Sequence, residues 1–154
     1  MRIAATALAV LLMSATGCGA QPAPQSPTAF LAQNALADGV HQLPSGVQYK
    51  ILKSGPATGR HPTPNDYVKV SYEGSLLSGQ VFDSTHKDGE DKPTTFQLKG
   101  LIPAWIEALQ QMREGDEWII WVPPSMGYGD KQVGPIPANS VLVFRLGFVS
   151  ILGG

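Results

Sequence analysis

The chain has 154 residues, a formal net charge of −1, 15% charged residues, one cysteine, 17 glycines and 13 prolines. That near-neutral balance offers no basic face for nucleic acid and no strong acidic field. One cysteine permits no internal disulfide, and the glycine and proline content argues for turns and short strands over a helical bundle.

Residues 1–17 carry one basic residue, Arg2, then an apolar run from Ile3 to Met13, and no acidic residue occurs before Asp38. This is the order of an export signal. The run is too short to span a bilayer, which takes about 20 residues. Ala15-Thr16-Gly17-Cys18 resembles the bacterial lipobox. The resemblance implies lipidation of Cys18, with several acyl chains giving the stable anchoring that one chain does not. Gly19, in place of the aspartate that resembles an inner-membrane retention signal, favours the outer membrane. The alternative is cleavage after Cys18-Gly19-Ala20, a small-x-small site, which releases a soluble periplasmic or secreted protein.

Residues 18–42 read as the lipidated cysteine, a tether and a short helix. Gly19–Thr28 is proline-rich and uncharged, a semi-extended tether. Thr28 is expected to cap a helix over Ala29–Asp38, with Phe30, Leu31 and Leu36 as apolar contacts and Gly39 ending it. About 135 residues remain after the signal, enough for one domain with its own core.

From residue 43 to residue 154 the pattern becomes that of a sheet. Val47–Leu52 alternates with Val47, Tyr49 and Ile51 on one face, and Tyr67–Tyr72 with Val68, Val70 and Tyr72. Ser78-Gly79 marks a turn before Val81-Phe82, and Thr94–Leu98 is a further strand. Ile102–Met112 is predicted as a helix. Pro103 suits its first turn, Trp105, Ile106, Leu109 and Met112 recur at helical spacing, and Gly115 stops it. Trp118–Val122 and Val141–Ile151 are apolar strands, the second apolar enough to lie mid-sheet. The fold class is α+β, a twisted antiparallel half-barrel wrapped on one short helix.

The stretch from Val68 to Ser84, with Tyr72-Glu-Gly-Ser-Leu76 and Gly79-Gln-Val-Phe-Asp-Ser84, resembles the signature of FKBP-type peptidyl-prolyl isomerases. Phe96–Met112, Val122–Gly129 and Ile136–Phe144 continue it in the family's order over residues 43–152. Leu43–Leu52 resembles the entry to the exported, macrophage infectivity potentiator-like branch. Members of that branch often carry a long helical dimerisation arm. Only about thirty residues separate Cys18 from Gln48, which implies that the arm is absent or vestigial and the chain a monomer.

The resemblance implies substrate contacts at Tyr72, Phe82, Leu101, Trp105, Ile136 and Phe144. It assigns catalytic roles to Asp83, Tyr128 and Ile102: the Ile102 N–H and Tyr128 hydroxyl hold substrate carbonyls, and Asp83 orients Tyr72. The plainer reading of Asp83 is a turn-capping carboxylate. Thr94, where the family often has an aromatic residue, implies an open wall, and Ala104 replaces a usual glycine. The segment His86–Lys92 is longer than in compact members, and no basic partner for Asp83 can be assigned within it.

The implied activity is isomerisation of X–Pro bonds in exported polypeptides, without metal or cofactor and with sensitivity to macrolides of the rapamycin class. The rival is a non-catalytic peptide-binding chaperone module using the same pocket. His41, His61 and His86 lack ligand spacing, which argues against zinc or copper. Ser125 has no histidine and acid set for hydrolysis, and no phosphate-binding glycine loop is present.

Overall fold

The computed structural model describes residues 25–153; the expected signal at 1–17 and Cys18 lie outside them. Ser26, in an extended conformation, accepts the Ala29 N–H at 3.2 Å and starts helix α1, Pro27–Asn34. The cap is therefore Ser26, not Thr28, because Pro27 fits the first helical position and needs no N–H partner there. The helix ends at Asn34. Leu36 lies beyond it in turns closed by i to i+3 hydrogen bonds and is 87% exposed, so it supplies no core contact. Gly39 has φ of +75° within that turn.

Strands β1 (His41–Gln42), β2 (Gln48–Lys53), β3 (Tyr67–Leu76) and β4 (Val81–Ser84) follow. A small hairpin comes next, β5 (His86–Lys87) and β6 (Glu90–Asp91), then β7 (Thr94–Gln97), helix α2 (Pro103–Gln111), β8 (Glu117–Val122) and β9 (Leu142–Ile151). The main sheet is antiparallel and open, in the order β1-β2-β8-β9-β3-β4. β9 lies between β8 and β3, as its apolar run predicts. The outer edge of β3 is shared: Tyr67–Val70 pair with β7, and Glu73–Ser75 pair with β4.

Alternation sends Val68, Val70, Trp118, Ile120, Val122, Leu142, Phe144, Leu146 and Phe148 to the inner face, where all are buried. α2 closes that face with Ala104, Trp105, Ala108 and Leu109, followed by Met112. Each such large apolar side chain is worth roughly 1.5–3 kcal/mol when taken out of water. Ile51 departs from expectation at 43% exposure. The two-residue β1 covers β2 only at Gln48 and Tyr49, so the strand beyond is a bare edge. Tyr49 stays inside, stacked on Trp118 at 4.4 Å.

The outer face is covered at one end by α1, a second helix packed on the sheet. Gln48 is the link. It is 1% exposed, its Nε2 donates to the Leu31 carbonyl at 2.7 Å, and its Oε1 accepts from Asn34 Nδ2 at 2.8 Å. Among the described residues, no helix is long and apolar enough to cross a membrane.

Candidate active site

The site begins with a glycine. Gly74 on β3 lies beneath two rings, and a Cβ placed there would be 2.7 Å from Phe144 Cε1 and 2.8 Å from Phe82 Cε2 and Cζ. Only a residue without a side chain lets Phe82 and Phe144 meet over the strand, which they do edge-to-face at 5.6 Å and 88°. Phe82 reaches this position through a bulge. Gly74 faces Asp83 and Ser75 faces Val81, so Phe82 is the additional residue in β4. Bulges of this kind re-aim a side chain next to a site.

Trp105, in the first turn of α2, forms the floor. It meets Tyr72 at 5.0 Å and 78°, Phe144 at 5.2 Å and 88°, and Phe96 at 6.0 Å and 88°. Its indole N–H is buried and has no partner among the described residues, so packing rather than a side-chain hydrogen bond orients the ring. Together these rings enclose a cavity of about 500 Å³. Every residue proposed from the sequence lines it: Tyr72, Phe82, Asp83, Leu101, Ile102, Trp105, Tyr128, Ile136 and Phe144.

The polar groups sit at the rim. Tyr72 donates its hydroxyl hydrogen to Asp83 Oδ2 at 2.6 Å, while Asp83 Oδ1 accepts the Ser84 N–H at 2.9 Å. Asp83 lies within β4, so the Ser84 contact is local to the strand, and its other oxygen holds the tyrosine. Burial, then the hydrogen bond and charge of Asp83, pushes the Tyr72 phenol well above its ordinary range, so it is a permanent donor. Ile102 is extended (φ −61°, ψ 150°) just before α2, and its carbonyl accepts from Trp105 and Ile106. Among the described residues neither the Ile102 N–H nor the Tyr128 hydroxyl has a hydrogen-bond partner. The flap bearing Ile136 is closed by the Val133–Ile136 bridge, with N–H to carbonyl distances of 3.0 and 2.9 Å.

Sequence reasoning missed Phe96, Gly100 and the flap residues Val133–Pro135, which also line the cavity. Phe96 carried a signal: it alternates onto the inner face opposite Val68. Thr94 does not line the cavity; it pairs with Val70 and is exposed. Phe96 stands as a wall two residues further on. No basic residue pairs with Asp83 among the described residues; in the longer segment, His86 and Lys92 lie beside Asp91 and Glu90.

A cavity of about 580 Å³ on the outer face is larger, but Ser71, Glu73, Asp91, Glu117 and Arg145 wall it. Those side chains are charged or polar and offer a proline ring no aromatic floor, so chemistry rather than volume singles out the aromatic site. Among the described residues no group of His, Cys, Asp and Glu could hold a metal ion.

The family described as FKBP-type peptidyl-prolyl cis-trans isomerase matches residues 58–149, and the domain amino terminal to it matches residues 12–51. The latter span includes the segment read above as the end of the signal, the tether and the short helix. The chain is 47% identical over 124 residues to the outer membrane protein MIP of Legionella longbeachae, covering 80% of this chain and 52% of that protein. It is 45% identical over 124 residues to the peptidyl-prolyl cis-trans isomerase Mip of Coxiella burnetii, with the same coverage of 80% and 52%. It therefore spans about half the length of these curated relatives. The crystal structure of FkpA from Escherichia coli superposes with a TM-score of 0.76 at 32% identity, covering 82% of this chain and 58% of that one. A peptidyl-prolyl cis-trans isomerase of Pseudomonas syringae pv. tomato gives 0.73 at 31% identity, covering 81% and 90%. With these matches running through the strands and helix that build the cavity, the chain belongs to the FKBP-type peptidyl-prolyl cis-trans isomerase family.

Proposed function

We propose that the chain is a peptidyl-prolyl cis/trans isomerase acting on X–Pro bonds of exported polypeptides. The observation that carries this reading is the aromatic cavity floored by Trp105, with unpaired donors at its rim. An X–Pro bond rotates over a barrier of about 18–20 kcal/mol, taking tens to hundreds of seconds unaided. No covalent bond breaks, so neither nucleophile nor metal is needed.

In the twisted state the amide loses conjugation, its carbonyl is less polarised and its nitrogen more pyramidal. The proline ring packs on Trp105 between Tyr72, Phe82 and Phe144, which excludes water. A weakly polar, preorganised surround then favours the less polar twisted amide. The Ile102 N–H and Tyr128 hydroxyl hold the flanking carbonyls, and Asp83 keeps the Tyr72 hydroxyl in one orientation. Lowering the barrier by about 5–6 kcal/mol accelerates the reaction about four orders of magnitude.

The test is isomerisation of a short X–Pro peptide by residues 25–154, with and without rapamycin. Catalysis abolished by the macrolide supports the reading. Tight macrolide binding without catalysis supports instead a holding module that binds clients in the same cavity. Absence of both catalysis and macrolide binding would refute the assignment of this cavity as the site.

For localisation, the same reading places the chain outside the cytoplasm, anchored through a lipid on Cys18 with the outer membrane favoured, or else released soluble. The support is the order of residues 1–18 and the likeness to an outer membrane protein of Legionella longbeachae. A Cys18→Ser variant that no longer incorporates labelled palmitate and leaves the membrane fraction is the expected outcome; unchanged fractionation would contradict anchoring. We take the domain as a monomer, since α1 is satisfied by its own sheet through Gln48. Sedimentation at increasing concentration checks this.

A further inference from the structure

The outer edge of β3 has a gap. Its first half pairs with β7 and its second half with β4, which leaves Ser71 and Tyr72 between the two partners. β3 pairs with β9 on its other side, but on this outer edge the Tyr72 N–H and carbonyl must be held by something other than a regular ladder. The residue that fills the gap is Thr85, 4% exposed, just after β4. Its N–H donates to the Tyr72 carbonyl at 2.9 Å, and its Oγ1 accepts the Tyr72 N–H at 3.0 Å.

A threonine hydroxyl has one proton to place. Here it goes to Asp91 Oδ1 at 2.8 Å, a better acceptor than the Tyr72 carbonyl at 3.3 Å. The second oxygen of Asp91 accepts the Ser71 hydroxyl. One carboxylate therefore anchors both hydroxyls that flank the gap. Successive strand residues point to opposite faces, so Asp91 works on the outer face and Tyr72 presents its ring to the inner one. Asp91 touches no part of the aromatic cavity.

We propose that Asp91, carried by the β5–β6 hairpin on the far side of the sheet, is a positioning residue for the isomerase site, acting through Thr85 on Tyr72. The proposal rests on the isomerase reading given above. Ser71's hydrogen bond, aided by those of Thr85 and the charge of His86 and opposed by partial burial, lowers the Asp91 pKa, so the group is an acceptor at neutral pH. His86 Nε2 stands 3.7 Å from Oδ1. The hairpin thus extends the reach of the sequence between β4 and β7 beyond a simple connection: it returns a carboxylate to the place where β3 changes partner.

The test compares the full chain with Asp91→Ala, Thr85→Val, Thr85→Ser and the Asp91→Ala/Thr85→Val double variant. Isomerisation kinetics and hydrogen exchange at the Tyr72 amide are both read. Loss of one net hydrogen bond predicts a kcat about fivefold lower in Asp91→Ala and in Thr85→Val, with KM little changed. The groups act in series, so the double variant should be no slower than the slower single one, and Thr85→Ser should restore most of the rate. The Tyr72 amide should exchange at least about tenfold faster in Thr85→Val and measurably faster in Asp91→Ala.

Wild-type kcat in Asp91→Ala, equal loss in Thr85→Val and Thr85→Ser, or multiplying losses in the double variant would each overturn the proposal. If the wild-type chain itself proves inactive, the isomerase reading fails, and amide exchange decides alone. Unchanged Tyr72 exchange in Asp91→Ala then refutes the hold of Asp91 on the strand, and faster exchange upholds it.

Discussion

Gly74 offers the sharpest test of how the cavity is built. An alanine Cβ there would approach Phe144 and Phe82 to 2.7 and 2.8 Å, well inside the ~3.5–4.0 Å at which carbon atoms attract. Phe144 has nowhere to go, since it is buried against Trp105 on one side and Phe82 on the other. Gly74 has no positive φ, so the substitution tests sterics alone. Overpacking of this kind costs about 1–3 kcal/mol, which for a domain of this size lowers Tm by roughly 3–15 °C. Phe82 is half-buried and yields most easily, and because it lines the cavity its displacement reshapes the wall. Isomerisation of an X–Pro peptide should therefore fall at least about tenfold in kcat/KM, since misplacement by about 1 Å is costly. Gly147→Ala is the control: on the neighbouring strand its Cβ would meet Ser71 Cβ at 3.5 Å, an ordinary contact. There the change should leave stability equal or raised by about 0.4–1 kcal/mol through the unfolded chain. A Gly74→Ala variant that melts within about a degree of wild type and keeps its activity, or a Gly147→Ala variant that is equally harmful, would refute this steric account of the cavity.

Other perturbations probe the polar groups and the outer face. Tyr72→Phe removes the hydrogen bond to Asp83 and should cost about 1 kcal/mol in denaturant unfolding, the low end for a charge-assisted bond because Asp83 is exposed. The raised Tyr72 pKa means that the unfolded chain loses this phenolic proton first. The stability it contributes is full below about pH 10 and is lost as pH rises towards the folded value. The denaturant midpoint should accordingly fall less between about pH 9 and 11 in Tyr72→Phe than in wild type, and equal slopes would refute this. Gln48→Ala leaves the Leu31 carbonyl and Asn34 amide without their partner and should cost about 1–3 kcal/mol. Limited proteolysis should then cut faster between α1 and β1, with isomerisation unaffected.

Much of the site was legible because its residues sit in elements of clean periodicity. Tyr72, Phe144 and Trp105 follow from strand alternation and from the helix opened by Pro103, and their neighbours confirm the faces expected of them. What escaped was set by irregularity or by tertiary contact. Phe82 as the added residue of a bulge reads in sequence like an ordinary strand position, and only the shift between Gly74 and Ser75 reveals why it turns inward. Gln48 alternates onto what sequence reads as a wet face, yet α1 buries it, and nothing local announces that cover. Ile51 fails the other way: its pattern is right, but β1 is too short to shield it. The α1 boundary moved because Ser26 and Thr28 are both good caps, and the intervening Pro27 decides for the earlier one.

The same contrast explains where this site is vulnerable. Its apolar walls are over-determined: Tyr72, Phe96, Trp105 and Phe144 each touch two or three other rings, and only Phe82 touches one, so loss of one ring leaves most of the rest in contact. The strand that carries Tyr72 is laddered to β9 on one side, but its outer edge has no such redundancy. At Ser71 and Tyr72 neither β4 nor β7 completes the ladder, and a single threonine and a single carboxylate stand in for it. A regular strand would hold Tyr72 with backbone bonds that no side-chain substitution removes. Here only the Tyr72 carbonyl keeps such a bond on this edge, to the Thr85 N–H, while the Tyr72 N–H depends on side chains. Substitutions at Thr85 or Asp91 therefore reach the aromatic face, while comparable changes at Glu117 or Arg145, on the outer face but on fully paired strands, should not.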